Sequence, residues 1–361
     1  MLRCLIAHML VATLATCGGP NAAVTDARPA EPDAAWRPVF DGFGALETIA
    51  GAGGSLANGQ NGWSPAFEGG PATAAQLSRP HMAQADAAGI IYIADKEANA
   101  IRAVATDGTI TTLAGTGAPG DDGDTPGPAR ERRLSSPNGL WVRGDGTVYL
   151  LDLGNDKVRA VDPSGNLRTL FVVGGAGDGR GLWVAADESR AVVAAGTSVK
   201  EWTPSGGVRV LAGGFVSLGN LVVTDDGAVL ATDRGGHRVY RITPDGQKTP
   251  IAGNGTPVGG GDGARALDTG LDQVRGIWLY AGGYFLATHK GGDIWYVDER
   301  GGIHLFIRGT GGDITHAGDG ERFDTSGDKL AEPRAISVTP AGELLIVEND
   351  RGFIRRVRRA D

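Results

Sequence analysis

Cysteine is nearly absent from this chain: of 361 residues only Cys4 and Cys17 are cysteines, both at the very start. A disulfide framework is therefore excluded from everything that follows. Long apolar runs are also missing, and none approaches the ~20 residues that a membrane-crossing helix needs. There is no excess of positive charge either. The formal net charge is −8 with the signs interspersed, which argues against a polyanionic partner such as nucleic acid. No Gly-x-Ser-x-Gly elbow, phosphate-binding loop or His-Glu-x-x-His helix occurs, so no ready-made catalytic motif is present. What the chain has in abundance is glycine, 60 of 361 residues, with neither a collagen period nor a Gly-Ser tract.

The start of the chain reads as a targeting segment. Arg3 precedes an apolar stretch, Cys4–Leu14, and small residues lead to Cys17, the layout of a short secretory signal. Leu14-Ala15-Thr16-Cys17 resembles the bacterial lipoprotein box, which implies that 1–17 is a signal peptide and Cys17 the lipidated residue. Thr16 and His8 depart from that pattern, and an ordinary cleaved signal is the alternative. Residues 18–40, rich in Ala, Pro and Asp, are expected to be a disordered tether. The bacterial cell envelope, lipid-anchored or secreted, is the expected location.

From about residue 41 a four-strand unit recurs. One copy reads GIIYIAD (89–95), NAIRAVATDG (99–108) and TITTLAG (109–115). Inner strands begin near Pro80, Pro137, Arg180, Gly219, Arg275 and Pro333, and third and fourth strands are joined by Gly-containing turns. Glycine supplies the positive φ that such hairpins need. Repeats of about 40–50 residues with four strands each predict a β-propeller, here all-β with six blades over 41–361. The last copy stops at its third strand, 353–359, while LETIAG (46–51) has the pattern of a fourth strand with no strands before it. An N-terminal outer strand in the last blade is expected to close the ring.

The connectors EGGPATAAQLSRP (68–80) and PGPARERRLSSPNGL (126–140), with IYIADKEANAIRAV (91–104) and VYLLDLGNDKVRAV (148–161), resemble NHL repeats. That resemblance implies a six-bladed propeller. Most such propellers bind proteins or peptides, some bind RNA, and a few six-bladed relatives are metal-dependent lyases or lactonases.

The position that opens the inner strands carries His81, Asn138, Arg180, Gly219, Arg275 and Arg334. Such a ring around the axis has the chemistry to hold a carboxylate or phosphate. The acidic connectors favour instead that each arginine pairs with a nearby aspartate. Asp121, Asp122 and Asp124 form the densest acidic group and are a calcium candidate, with loop bracing the expected role. Asp95, Asp152, Asp233 and Asp350, which follow second strands, are also expected to brace turns. His81, His237 and His289 occupy different repeat positions, which argues against a zinc site. Trp141, Trp183 and Trp278 are expected in the core.

The expected function is therefore an envelope-anchored binding platform for a protein, peptide or glycan, working through its connector face. It would be a monomer, reach the membrane only through lipid, and bind no nucleic acid. No catalytic residue or cofactor is assigned. The alternative is a metal-dependent lyase or lactonase, using calcium or zinc at the mouth of the central channel.

Overall fold

In the computed structural model, residues 36–54, 56–312 and 316–360 are described. Cys17 and the signal expected over 1–17 lie outside them, as does most of the expected tether. Alternating apolar residues and Gly turns fold into six four-stranded antiparallel sheets. Blade 1 comprises Pro80–Ala85, Ile91–Asp95, Ala100–Val104 and Ile110–Ala114. Blade 2 comprises Pro137–Val142, Val148–Asp152, Lys157–Val161 and Asn166–Val172, with the short Gly127–Pro128 added outside. Blade 3 comprises Leu182–Val184, Ala191–Ala195, Ser198–Thr203 and Gly207–Ala212. Blade 4 comprises Leu218–Val223, Val229–Asp233, Arg238–Ile242 and Lys248–Ala252. Blade 5 comprises Val274–Tyr280, Gly283–Thr288, Ile294–Val297 and Ile303–Ile307.

Blade 6 is built from both ends of the chain. Pro333–Val338, Leu344–Glu348 and Phe353–Arg359 are completed by Phe43–Ala50. That strand lies antiparallel to the last one, with Leu46 opposite Val357 and Thr48 opposite Arg355. Each inner strand packs on the next, and that of blade 6 on that of blade 1. The ring is closed. The closing strand begins at Phe43, earlier than the expected LETIAG, because Phe43 and Leu46 are fully buried. Phe43 enters an aromatic cluster with Phe285 and Phe306, at 5.9 and 5.2 Å between ring centroids.

Residues 36–40, expected to belong to the tether, are structured. Arg37–Asp41 is a short helix with proline in its first turn. Trp36 stacks on His304 at 4.7 Å, and Phe40 meets Phe306 at 4.9 Å. Two aromatic side chains in five residues bury enough surface to order a segment that composition alone reads as unstructured.

The connector signature has a mechanical explanation. Its alanine is buried and donates its N–H to the Gly turn of the blade it leads into. The pairs are Ala72 to Gly108, Ala129 to Gly165 and Ala266 to Gly301, each 2.8 Å. The glycine ending a fourth strand then donates to that alanine's carbonyl, as Gly115 does to Ala129 at 3.0 Å. Gly115 has φ +94°, and a Cβ there would stand 2.2 Å from the Asn99 carbonyl. Only glycine fits.

Candidate functional site

Inner strands run along the axis, so residues at matching register form rings around it. Close approach of these strands depends on small residues just inside their first polar one. Gly139 shows this: a Cβ there would stand 2.4 Å from the Arg180 carbonyl of the next blade. Side-chain hydrogen bonds stitch adjacent blades at several levels. Asn138 Nδ2 donates to the Gly179 carbonyl (2.7 Å), Thr232 Oγ to that of Arg275 (2.9 Å) and Ser337 Oγ to that of Ala83 (2.7 Å).

The axis is filled, which corrects the expectation of a channel. Met82 of blade 1 and Asn220 of blade 4 touch across it, Sδ to Nδ2, at 3.4 Å. Three residues beyond Asn138, about 10 Å along the strand, Trp141 lies 5.8 Å from Trp278 and 6.3 Å from Trp183. Blades 2 and 5 face each other across a six-membered ring, so the Trp141–Trp278 contact spans the axis. These tryptophans do belong to the core, with one difference from the sequence expectation. They are half-buried and plug one end of the axis rather than simply filling space between neighbouring blades.

At the other end lies the polar ring. His81, Asn138, Arg180, Arg275 and Arg334 line one small depression, joined by Asn220 where register alone had pointed to Gly219. The space left between them is about 10 Å³, near the ~10–15 Å³ that one water requires. The expected local pairing of these arginines with connector aspartates is not what the structure contains. Arg275 Nη2 donates to Gln273 Oε1 (2.7 Å) and Arg334 Nη1 to His81 Nε2 (3.1 Å), both neutral acceptors. Arg334 also stands 3.8 Å from Asp350 Oδ1. Among the described residues, Nε of Arg275, Nε of Arg334, and Nε and Nη1 of Arg180 are buried without a partner.

Burial and mutual repulsion act together on this ring. Burial, then Arg234, pulls Arg180 down to about 10. Burial, then Arg180 and Arg234, pulls Arg275 down to about 9. Arg334 is lowered by burial, Arg275 and Arg180. All three remain cationic at neutral pH. His81 is held neutral, pushed well below its ordinary value by burial, Arg334 and Arg180. The result is a concentrated positive charge with donors to spare.

Beside the ring sits a second group that sequence reasoning split up. His289 follows the second strand of blade 5, Glu332 precedes the inner strand of blade 6, and Asp350 follows that blade's second strand. Asp350 is not the turn brace it was expected to be. Asp95, Asp152 and Asp233 are braces: each accepts a connector N–H, from Ser78, Ser135 and Ser217 respectively, at 2.5–2.9 Å. In blade 6 the matching register position is Glu348, which accepts from Ala331 N–H (2.8 Å) and Arg355 (3.1 Å). Asp350 is thereby released toward the axis, where it pairs with Arg79. Burial raises its carboxyl, but the hydrogen bond with Glu332 and then the charges of Arg334 and Arg79 hold it down at about 2. Glu332 is raised by burial and by its hydrogen bond and like charge with Asp350, so that the two carboxyls share a proton. His289, lowered to about 2 by burial, Arg275 and Arg334, is neutral.

The other candidates resolve as structure. Asp121 and Asp124 do converge, but on the Lys157 ammonium, at 2.7 and 2.8 Å. Asp121 also binds Arg159 and Asp122 binds Arg133, each at 2.7 Å. His237 is apart from the ring, its Nδ1 3.2 Å from the Leu271 carbonyl. Glu332 was missed, and its only sequence signal is that it stands two residues before Arg334.

No family model matches this chain. Over 89 residues it is 43% identical to Teneurin-3 of Danio rerio, a match covering 20% of this chain and 3% of that protein's length. An auxiliary nutrient binding protein from Bacteroides ovatus has a TM-score of 0.63 at 11% identity, over 88% of this chain and 78% of that one. The virginiamycin B lyase of Staphylococcus aureus has 0.51 at 14% identity, over 78% of this chain and 96% of that one. The likeness to both structures is one of fold.

Proposed function

We infer that this propeller is a binding module whose connector face takes up an anionic group, carboxylate or phosphate in class, on the arginine ring. The observation that carries this reading is the set of buried guanidinium nitrogens without partners at one point on the axis. Buried charge is costly unless it is paired, and an arginine offers a planar fork matched to such anions. The space between the ring side chains admits about one water, so the anion would sit on the rim of the depression, as the end group or side chain of a larger ligand: a protein, a peptide or an acidic glycan. Loops on a rigid ring would supply the rest of the contact. A nutrient-binding protein of the same fold is in keeping with that role. Anchoring through Cys17 in a bacterial envelope completes the proposal, with the domain as a monomer on its tether.

The test is an array of peptides with free or amidated C-termini, and of acidic or neutral glycans, probed with the wild-type chain and with Arg180→Gln/Arg275→Gln/Arg334→Gln. We expect binding that prefers the anionic member of each pair and is lost in the triple variant. Binding indifferent to anionic groups, or unchanged in the variant, would overturn this function.

A further inference from the structure

Two carboxyl groups and an imidazole face one another beside the ring, and the carboxyl of Glu332 lies within hydrogen-bond reach of that of Asp350. His289 Nδ1 donates to the Glu332 carbonyl at 2.9 Å, a carbonyl being able only to accept. That bond fixes the tautomer and leaves the Nε2 lone pair free. Nε2 points at Asp350 Oδ2, 3.4 Å away, and Glu332 Oε2, 3.9 Å away. The ring carrying it is only 2% exposed. Each carboxylate gives its other oxygen to a cation, Glu332 Oε1 to Lys290 and Asp350 Oδ1 to Arg79. Both are thus oriented with one oxygen left toward the imidazole. The three atoms repel unless a positive charge lies between them, either a proton shared by the two carboxyls or a metal ion that displaces it.

We propose that His289 Nε2, Glu332 Oε2 and Asp350 Oδ2 form a binding site for a divalent transition-metal ion of the zinc class. The spacing fits. Ligands about 2.0–2.2 Å from a tetrahedral ion stand about 3.4 Å apart, and all three atoms here lie within 4.8 Å of one another. The donor set fits as well. Imidazole with carboxylate suits zinc and its neighbours, whereas calcium requires six to eight oxygens. The hydrogen bond from Nδ1 to a backbone carbonyl is the usual support of a metal-binding histidine. Three protein ligands leave a coordination position open to water, and Arg334, 3.8 Å from Asp350, places it beside the arginine ring. The ion site does not depend on what binds to that ring.

The experiment is calorimetric titration of Zn²⁺ into the chelator-treated full chain. We expect about one ion per chain. Affinity should fall in His289→Gln and in Asp350→Asn by more than the about 10–100-fold that losing an outer supporting residue costs. Asp121→Asn/Asp124→Asn should bind as wild type does. Absence of saturable binding, or equal affinity in His289→Gln, would overturn the site. Should the variants not fold, Co²⁺ titrated into the wild-type chain decides. Intense visible absorption of a four- or five-coordinate ion supports the site, and the weak spectrum of the hydrated ion contradicts it.

Discussion

An arginine buried without a carboxylate is a liability to the folded chain. Arg180 has two buried nitrogens without a partner and Arg275 one; Arg334 has one as well, although its Nη2 lies 3.8 Å from Asp350. Neutralising Arg180 alone should therefore stabilise the domain, by about 1–2 kcal/mol in chemical denaturation, since no described contact is lost with its charge. A structural brace would behave in the opposite way. A separate titration belongs to Asp293, which burial pushes up to about 6 although the Gly309 N–H opposes this. Its folded value lies above the ~3.9 of an unfolded aspartate. The folded chain then binds the extra proton between about pH 4 and pH 6, and stability falls as pH rises through that window. Urea melts should show a loss of about 3 kcal/mol that Asp293→Asn removes; an equal slope in the variant would reject this assignment. Residue-level reading of the sequence went furthest where register was unambiguous. His81, Asn138 and the three arginines could be placed on one ring because each opens an inner strand. Asp350 was misassigned because Glu348 takes the bracing position two residues earlier, a swap of one carboxylate for another that composition conceals.

At the scale of elements, strand order and Gly turns were legible because period-two apolar patterns repeat with their turns. The end of the tether was not legible, because helix Arg37–Asp41 is held by aromatic contacts with distant blades rather than by local pattern. The closing strand carries the sharpest consequence. Leu46 and Phe43 are fully buried, and Glu47 pairs with Arg356 and Arg358 of the last strand. Leu46→Ala should cost about 2–5 kcal/mol and Phe43→Ala about 3–5 kcal/mol. Deleting 41–51 should open the ring and expose a strand edge to aggregation. A deletion that melts at the wild-type temperature would refute closure by this strand.

For the whole molecule, blade-to-blade packing determines what the axis can do. Glycines such as Gly139 draw the inner strands together, and Met82, Asn220 and the tryptophans fill the space between them. Nothing in a one-dimensional repeat reports how far a ring closes on itself, so the expected channel became a small depression. Its charge is then available only from the connector face, where ligands of the binding reading would approach. Anion binding to the native state alone raises its stability as the logarithm of anion concentration. The most direct measurement is the melting temperature of the wild-type chain and of Arg180→Gln/Arg275→Gln/Arg334→Gln across a citrate titration at constant ionic strength. We expect the wild type to melt lower without citrate and to rise with it, while the variant starts higher and does not respond. A variant that melts below the wild type, with both chains indifferent to citrate, would contradict the anion-binding ring.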